Sequence, residues 1–163
     1  MNSSVKKRIE VCLNKTGVSF YKDIILALSK EMNIDYILVG KVFKEKKLVQ
    51  SIVFAKENMS FNAVNYNITN TPCENTVKEG VLIHTSNVAK LYPKDDLLTE
   101  MEIEGYTGVS LKIGNERGLL VGLSVTEIKN SKDLVEIFSR YSAKFGDELN
   151  KHGMVLLDPV SYL

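Results

Sequence analysis

The chain has no tryptophan, two cysteines, two histidines and three prolines in 163 residues. Each shortage excludes something. Cys12 and Cys73 cannot frame a disulfide scaffold, which points to a reducing, intracellular and therefore cytoplasmic setting. His84 and His152 stand far from one another and from the cysteines, so no metal-ligand spacing exists. No stretch rich in proline, glycine or serine divides the chain, and no repeat occurs, so residues 1–163 read as one domain. Charge of one sign is also missing. Lys and Arg number 21 against 20 Asp and Glu, leaving a net charge of +1 and no field for nucleic acid, membrane or an acidic substrate. The short basic runs Lys6-Lys7-Arg8 and Lys44-Glu45-Lys46-Lys47 read as solvated surface. No run approaches the roughly 20 apolar residues that span a bilayer, and no apolar segment follows the N-terminus as a secretory signal would. Gly-rich phosphate loops and Gly-x-Ser-x-Gly elbows are absent.

What is present is a patterned α+β chain. Val5, Ile9 and Leu13 predict a helix over residues 4–14, stopped by Thr16-Gly17. Ser19 is the expected cap of a second helix over 20–32, with Phe20, Ile24, Ile25 and Leu28 on one face. Residues 35–43 and 48–55 are rich in β-branched and aromatic residues and predict a hairpin. Residues 56–70 are polar and asparagine-rich and read as a long irregular connection. Residues 81–84 predict a short strand. Residues 87–101 predict two short helical turns interrupted at Pro93. A second hairpin is expected over 106–113 and 119–126, about the turn 114–118. Leu134, Ile137, Phe138, Tyr141, Phe145 and Leu149 recur at helical spacing and predict a long helix over 131–151. The tail 154–163 is apolar enough to dock. This order suits an antiparallel sheet with long helices on one face and irregular connections on the other.

The stretch Thr71-Pro72-Cys73-Glu74 reads as a helix start running to about Lys78 and Gly80. Thr71 can cap, Pro72 suits the first helical position, and Glu74 completes a capping box. Cys73 is the one residue that helix initiation leaves unexplained. The positive end of the helix favours a thiolate, while the neighbouring Glu74 opposes it and no resolving cysteine is near in sequence. Packing in a pocket wall is the reading favoured over redox or nucleophilic chemistry. Asp95-Asp96 reads as a helix cap, not a catalytic pair.

Mid-strand glycines suggest where a ligand could sit. Gly40, Gly108 and Gly122 would, if they share a face, leave a hollow beside apolar walls. Tyr106 and Ser110 have the parity of Gly108, whereas Val109, Leu111 and Ile113 suit a helix-covered core. The competing reading is that Phe61 or Tyr66 fills the hollow.

Taken in order, several motifs resemble the GAF domain family: Asp35-Tyr36-Ile37-Leu38-Val39-Gly40, Asn65-Tyr66 leading into Thr71-Pro72-Cys73-Glu74, and Leu91-Tyr92-Pro93. Leu97-Leu98 with Met101, Glu104-Gly105-Tyr106-Thr107-Gly108-Val109-Ser110-Leu111 and Gly118-Leu119-Leu120-Val121-Gly122-Leu123 complete the set. The resemblance spans about residues 20–149. It implies a GAF-like, PAS-related fold: an antiparallel sheet of five or six strands, main order 2-1-5-4-3, with the terminal helices packed behind it. A small-molecule pocket would lie on the opposite face, under a lid of short helices. Its walls would include Gly40, Tyr66, Thr71, Cys73, Val77, Leu91, Leu98, Met101, Tyr106, Gly108, Ser110 and Gly122. The Asn-Lys-x-Phe…Asp-Glu signature of cyclic-nucleotide-binding members is absent, as is the Cys-His pair of bilin-binding members. Sulfoxide reductases of this fold use several pocket cysteines, and only Cys73 qualifies here. The expected function is a cytoplasmic sensory module of bacterial-type signal transduction, non-enzymatic and without an identified cofactor. It would bind an unknown small molecule and pair as a homodimer through the terminal helices, with output in trans to a signalling partner protein. A thiol-based redox enzyme or sensor using Cys73, and an interaction module with a closed pocket, are the alternatives.

Overall fold

A computed structural model describes residues 3–55 and 61–152. The tail 154–163, and with it the expectation that it docks, lies outside the described residues, as does Phe61's side chain. Helix α1 runs Ser3–Val11 and tightens into a 3₁₀ turn at Cys12–Asn14. Helix α2 runs Gly17–Glu31. Strands β1, Tyr36–Phe43, and β2, Leu48–Ala55, form the first hairpin, followed by β3, Phe61–Asn67. Helix α3, Pro72–Glu79, leads to β4, Val81–His84. Two short helices come next, α4 at Val88–Leu91 and α5 at Asp96–Glu100. Strands β5, Gly105–Ile113, and β6, Glu116–Ser124, form the second hairpin, and α6, Ser131–His152, is the last element among the described residues.

The six strands make one antiparallel sheet in the order β3-β2-β1-β6-β5-β4. With β3 left out of the count, this is the order 2-1-5-4-3 that the resemblance implies. Three local expectations are corrected. Residues 61–67 form an edge strand, not irregular chain, because Val49↔Tyr66 and Ser51↔Val64 register extends the first hairpin. Gly17 opens α2 instead of ending α1, with Thr16 at the cap position, and Ser19 sits exposed in the first turn. The second hairpin turns on Gly114-Asn115 alone, since Ile113 already pairs with Glu116; Gly114 supplies the positive φ that this tight turn needs.

Two cores flank the sheet. On one side α2 and α6 bury Phe20, Tyr21, Phe138, Tyr141 and Phe145 against Ile37, Val39, Val109, Leu111 and Leu120. Ile9 of α1 joins this core, and Cys12 is one of its small members. At roughly 1.5–3 kcal/mol per fully buried large side chain, this layer supplies most of the hydrophobic stabilisation. The other side packs Leu38, Val42, Val49, Tyr106, Leu119 and Val121 under α3, α4 and α5. We call this the lid side.

Candidate functional site on the lid side of the sheet

Helix α3 starts as its sequence dictates. Thr71 Oγ1 accepts the Glu74 N–H at 3.4 Å while donating to the Ile68 carbonyl at 2.6 Å. Glu74 returns a bond, accepting the Asn70 N–H at 3.4 Å. That anchoring drives Pro72, Cys73 and Thr76 into the lid core. The packing beneath them is polar. Tyr66 of β3 donates to Cys73 Sγ at 3.2 Å, and the Tyr106 hydroxyl of β5 lies 3.4 Å from the same sulfur. Thr76 Oγ1 stands 2.8 Å from Tyr106 Oη and 2.9 Å from the Pro72 carbonyl, which it can only serve as donor. Each of these groups owns one proton. Tyr66 and Tyr106 both donate to Cys73 Sγ, and the single Thr76 proton is shared between the Pro72 carbonyl and the Tyr106 oxygen. The network therefore converges on the Cys73 sulfur.

Burial sets the titration of this group. It pushes the Cys73 thiol up to about 11, the two tyrosine hydroxyls pulling only partly the other way. Burial likewise holds the Tyr66 and Tyr106 phenols well above the ordinary tyrosine range, with the neighbouring thiol adding to it. All members are neutral at physiological pH. Cys73 is a buried, hydrogen-bonded thiol that desolvation keeps protonated.

A second polar group flanks the first. Asn75 donates to the Tyr92 hydroxyl at 2.7 Å, and His84 Nε2 lies 3.2 Å from the same oxygen. Burial lowers the His84 pKa, so its imidazole is neutral here. Two crevices open beside α3. One of about 360 Å³ is lined by Thr71, Glu74, Asn75, Leu91 and Tyr92 among others. The other, about 520 Å³, runs between the end of β3 and α5 and includes Tyr66, Thr71, Asp95 and Leu97. Asp95 caps α5 by accepting the Leu98 N–H at 3.4 Å, and burial raises its carboxyl pKa.

The structure brings Tyr66, Cys73 and Tyr106 together, with Leu98 buried beside them and Val77 and Met101 packed against the same core. Leu91 is 57% exposed and belongs to the outer crevice. Ser110 lies toward the far end of β5, where its hydroxyl accepts from Arg117 at 3.4 Å. The three glycines do not make a hollow. Gly122 pairs with Ile37 and Thr107 on the helix side, where a Cβ would meet the Phe138 ring at 2.8 Å. Gly40 does face the lid, but a Cβ there would meet Ser51 Cβ at 2.6 Å; its lack of a side chain serves strand approach. The space over Gly108 is taken by the Tyr106 ring and Thr76 Oγ1. Thr76, Asn75, Tyr92 and Asp95 are site residues that sequence reasoning missed. The available signal was Thr76 itself, three residues after Cys73 and four after Pro72, a spacing that puts its hydroxyl on their inner face of α3.

Solved structures match this architecture along nearly the whole chain. The GAF domain of an Acinetobacter phosphoenolpyruvate-protein phosphotransferase superimposes with a TM-score of 0.67 at 11% identity, covering 95% of this chain and 98% of its own. The chain has the GAF-domain fold. A second GAF neighbour, the phycoerythrobilin-bound domain of a cyanobacterial phytochrome, gives 0.60 at 16% identity over 93% and 96% of the two chains. A far-red absorbing dark state with bound biliverdin IXα gives 0.65 at 12% identity over 90% and 98%. No family model matches the sequence, and no curated protein matches it. Among the described residues no group of His, Cys, Asp and Glu is set to hold a metal, and no helix is long and apolar enough to cross a membrane.

Proposed function

We propose that the chain is a regulatory, ligand-binding sensor module, taking a small molecule on the lid side and passing its response through the terminal helices. The observation that carries this reading is the double role of Tyr66. It lines the 520 Å³ crevice and is also the outer end of the hydrogen-bond chain through Cys73, Tyr106 and Thr76. A molecule seated in the crevice touches a residue wired to the centre of the lid core. The neighbours carrying phycoerythrobilin and biliverdin support small-molecule binding as the use of this fold. The raised Cys73 pKa speaks against thiol catalysis, and Cys12 lies in the other core across the sheet. Thermal-shift screening against a broad metabolite panel tests the proposal. At a ligand concentration of 100 Kd, binding stabilises by about 2.7 kcal/mol, and a panel without a single stabilising compound refutes it.

A second reading, an interaction module with a closed lid, is favoured by the Tyr106 ring lying over Gly108. Pairing through the terminal helices would use their outward faces, where Val11 is 54% and Leu26 is 53% exposed. Phe138 is fully buried, so a charge there would probe the core and not association. Light scattering on Val11→Glu with Leu26→Glu tests that pairing: a mass that falls to that of the monomer supports this face, and an unchanged mass refutes it.

A further inference from the structure

Helices α2 and α6 leave one corner of the sheet open. On their side the register sets Lys41 beside Gln50 and Gln50 beside Asn65, with Phe43 beside Leu48 and Leu48 beside Asn67. Lys41, Phe43 and Leu48 are only half-buried and Gln50, Asn65 and Asn67 are exposed, whereas Val42 and Val49 on the lid face are buried. A groove of about 560 Å³ runs from this corner to the last turns of α6, where Ile113, Leu149 and Asn150 line it. It shares Asn115 and Glu116 with a second hollow of about 400 Å³ between the two hairpin turns, lined in part by Val42 and Phe43. Cations prevail around the pair, Lys41, Lys44, Lys46 and Arg117 standing against Glu45 and Glu116.

The chain itself supplies a segment that fits. Eleven residues follow His152, which is two positions past Asn150 at the mouth of the groove. Met154, Val155, Leu156, Leu157, Val160 and Leu163 make them apolar, and their one charged side chain is Asp158. Pro159 steers the residue before it away from helix, toward extended backbone. Extended, such a segment reaches about 36 Å, and crossing from β5 to β2 takes about 15 Å. We propose that residues 153–163 fold back from α6 as a strap along this groove. Residues 154–157 cover Ile113, Leu149 and the Phe43–Leu48 pair, and Asp158 lies toward the cations of the first hairpin turn. Removing apolar side chains from water drives the seating, and the contrast of charge sets its direction. The strap ties the end of α6 to the first hairpin and covers the corner that the long helices leave. It stands independently of any ligand on the lid side.

Paramagnetic relaxation in the full chain tests the strap. A nitroxide is attached at Ser161→Cys, since Cys12 and Cys73 are buried and label slowly. Amides of residues 41–50 and 113–117 are expected to lose most of their intensity, while those of α4, at the other end of β5, keep theirs. Leu156→Asp with Leu157→Asp should restore the lost intensity in the same spin-labelled chain, its unshifted spectrum elsewhere showing an intact fold. No loss at these amides, loss at α4 instead, or loss that survives the paired substitutions overturns the proposal. So does equal loss when the nitroxide and the observed amides sit on different copies, which would assign the groove to a second chain.

Discussion

Two side chains show how burial governs single residues here. Cys73 is held protonated by desolvation up to about 11, roughly two units above an ordinary thiol's 9.0. At pH 8 its thiolate fraction is therefore about a hundredfold below that of a free thiol. Iodoacetamide should modify Cys73 correspondingly slowly in the folded protein and at the normal rate after unfolding; labelling as fast as a free thiol would refute the burial argument. The linkage sign follows. A raised folded-state pKa gives stability that is whole below about pH 9 and drains as pH climbs toward 11. Thr107 presents the opposite case. Its hydroxyl is fully buried on the helix side of β5 with no hydrogen-bond partner among the described residues. Thr107→Val replaces an unsatisfied hydroxyl by a methyl of nearly equal size and should stabilise by about 1 kcal/mol. Chemical denaturation checks it, and a loss of stability would reveal a partner for the hydroxyl.

Between elements, close approach is the recurring device. Helix α6 crosses β5 at Gly146, where a Cβ would fall on the Lys112 carbonyl oxygen. Gly146→Ala must lift the helix from the strand and should cost about 2 kcal/mol, read as a lowered denaturation midpoint with an unchanged slope. Two residues on, Glu148 is fully buried, with Lys144 at 2.8 Å and the Gly17 N–H at 3.0 Å. Burial opposes its charge, but Lys144, Gly17 and Lys151 outweigh that and hold its pKa below the usual glutamate value. A depressed folded-state pKa stabilises above about pH 4.5 and is lost as pH falls below it. Glu148→Gln should therefore flatten the acid limb of the stability profile; an unaltered limb would show that other carboxylates carry it. The element boundaries themselves were largely legible from periodicity, as β4 and α6 show. Strand β3 was not. Asn62, Asn65 and Asn67 are poor strand formers, and only pairing with β2 makes them one. Gly122 was misread for a related reason: β6 is apolar on both faces, so parity alone does not say which face a glycine occupies. Its register against β5, with Val121 opposite Gly108, decides that.

Across the whole molecule the two sides of the sheet are unequal. The helix side stacks Phe20 on Phe145 at 5.0 Å and on Tyr21 at 5.4 Å beneath two helices of 15 and 22 residues. The lid relies on helices of eight, four and five residues around a polar group. Amide hydrogen exchange should find β1, β5, β6 and α6 opening only with global unfolding, and α3 to α5 opening at lower free energy. Equal protection on both sides would refute a lid that can admit a ligand. The site as a unit was beyond reach of spacing arguments, because Tyr66, Cys73 and Tyr106 converge across 7 and 33 residues of sequence. The GAF resemblance placed these residues on one face; the fold joins them by hydrogen bonds.

The seat of α6 on bare backbone has a mechanical corollary. Strand β5 holds Tyr106 on one surface and bears the helix on the other, with no compliant side chain cushioning the Lys112 carbonyl at Gly146. Under the sensor reading proposed above, a tug on that phenol would reach the C-terminal helix as through a stiff lever.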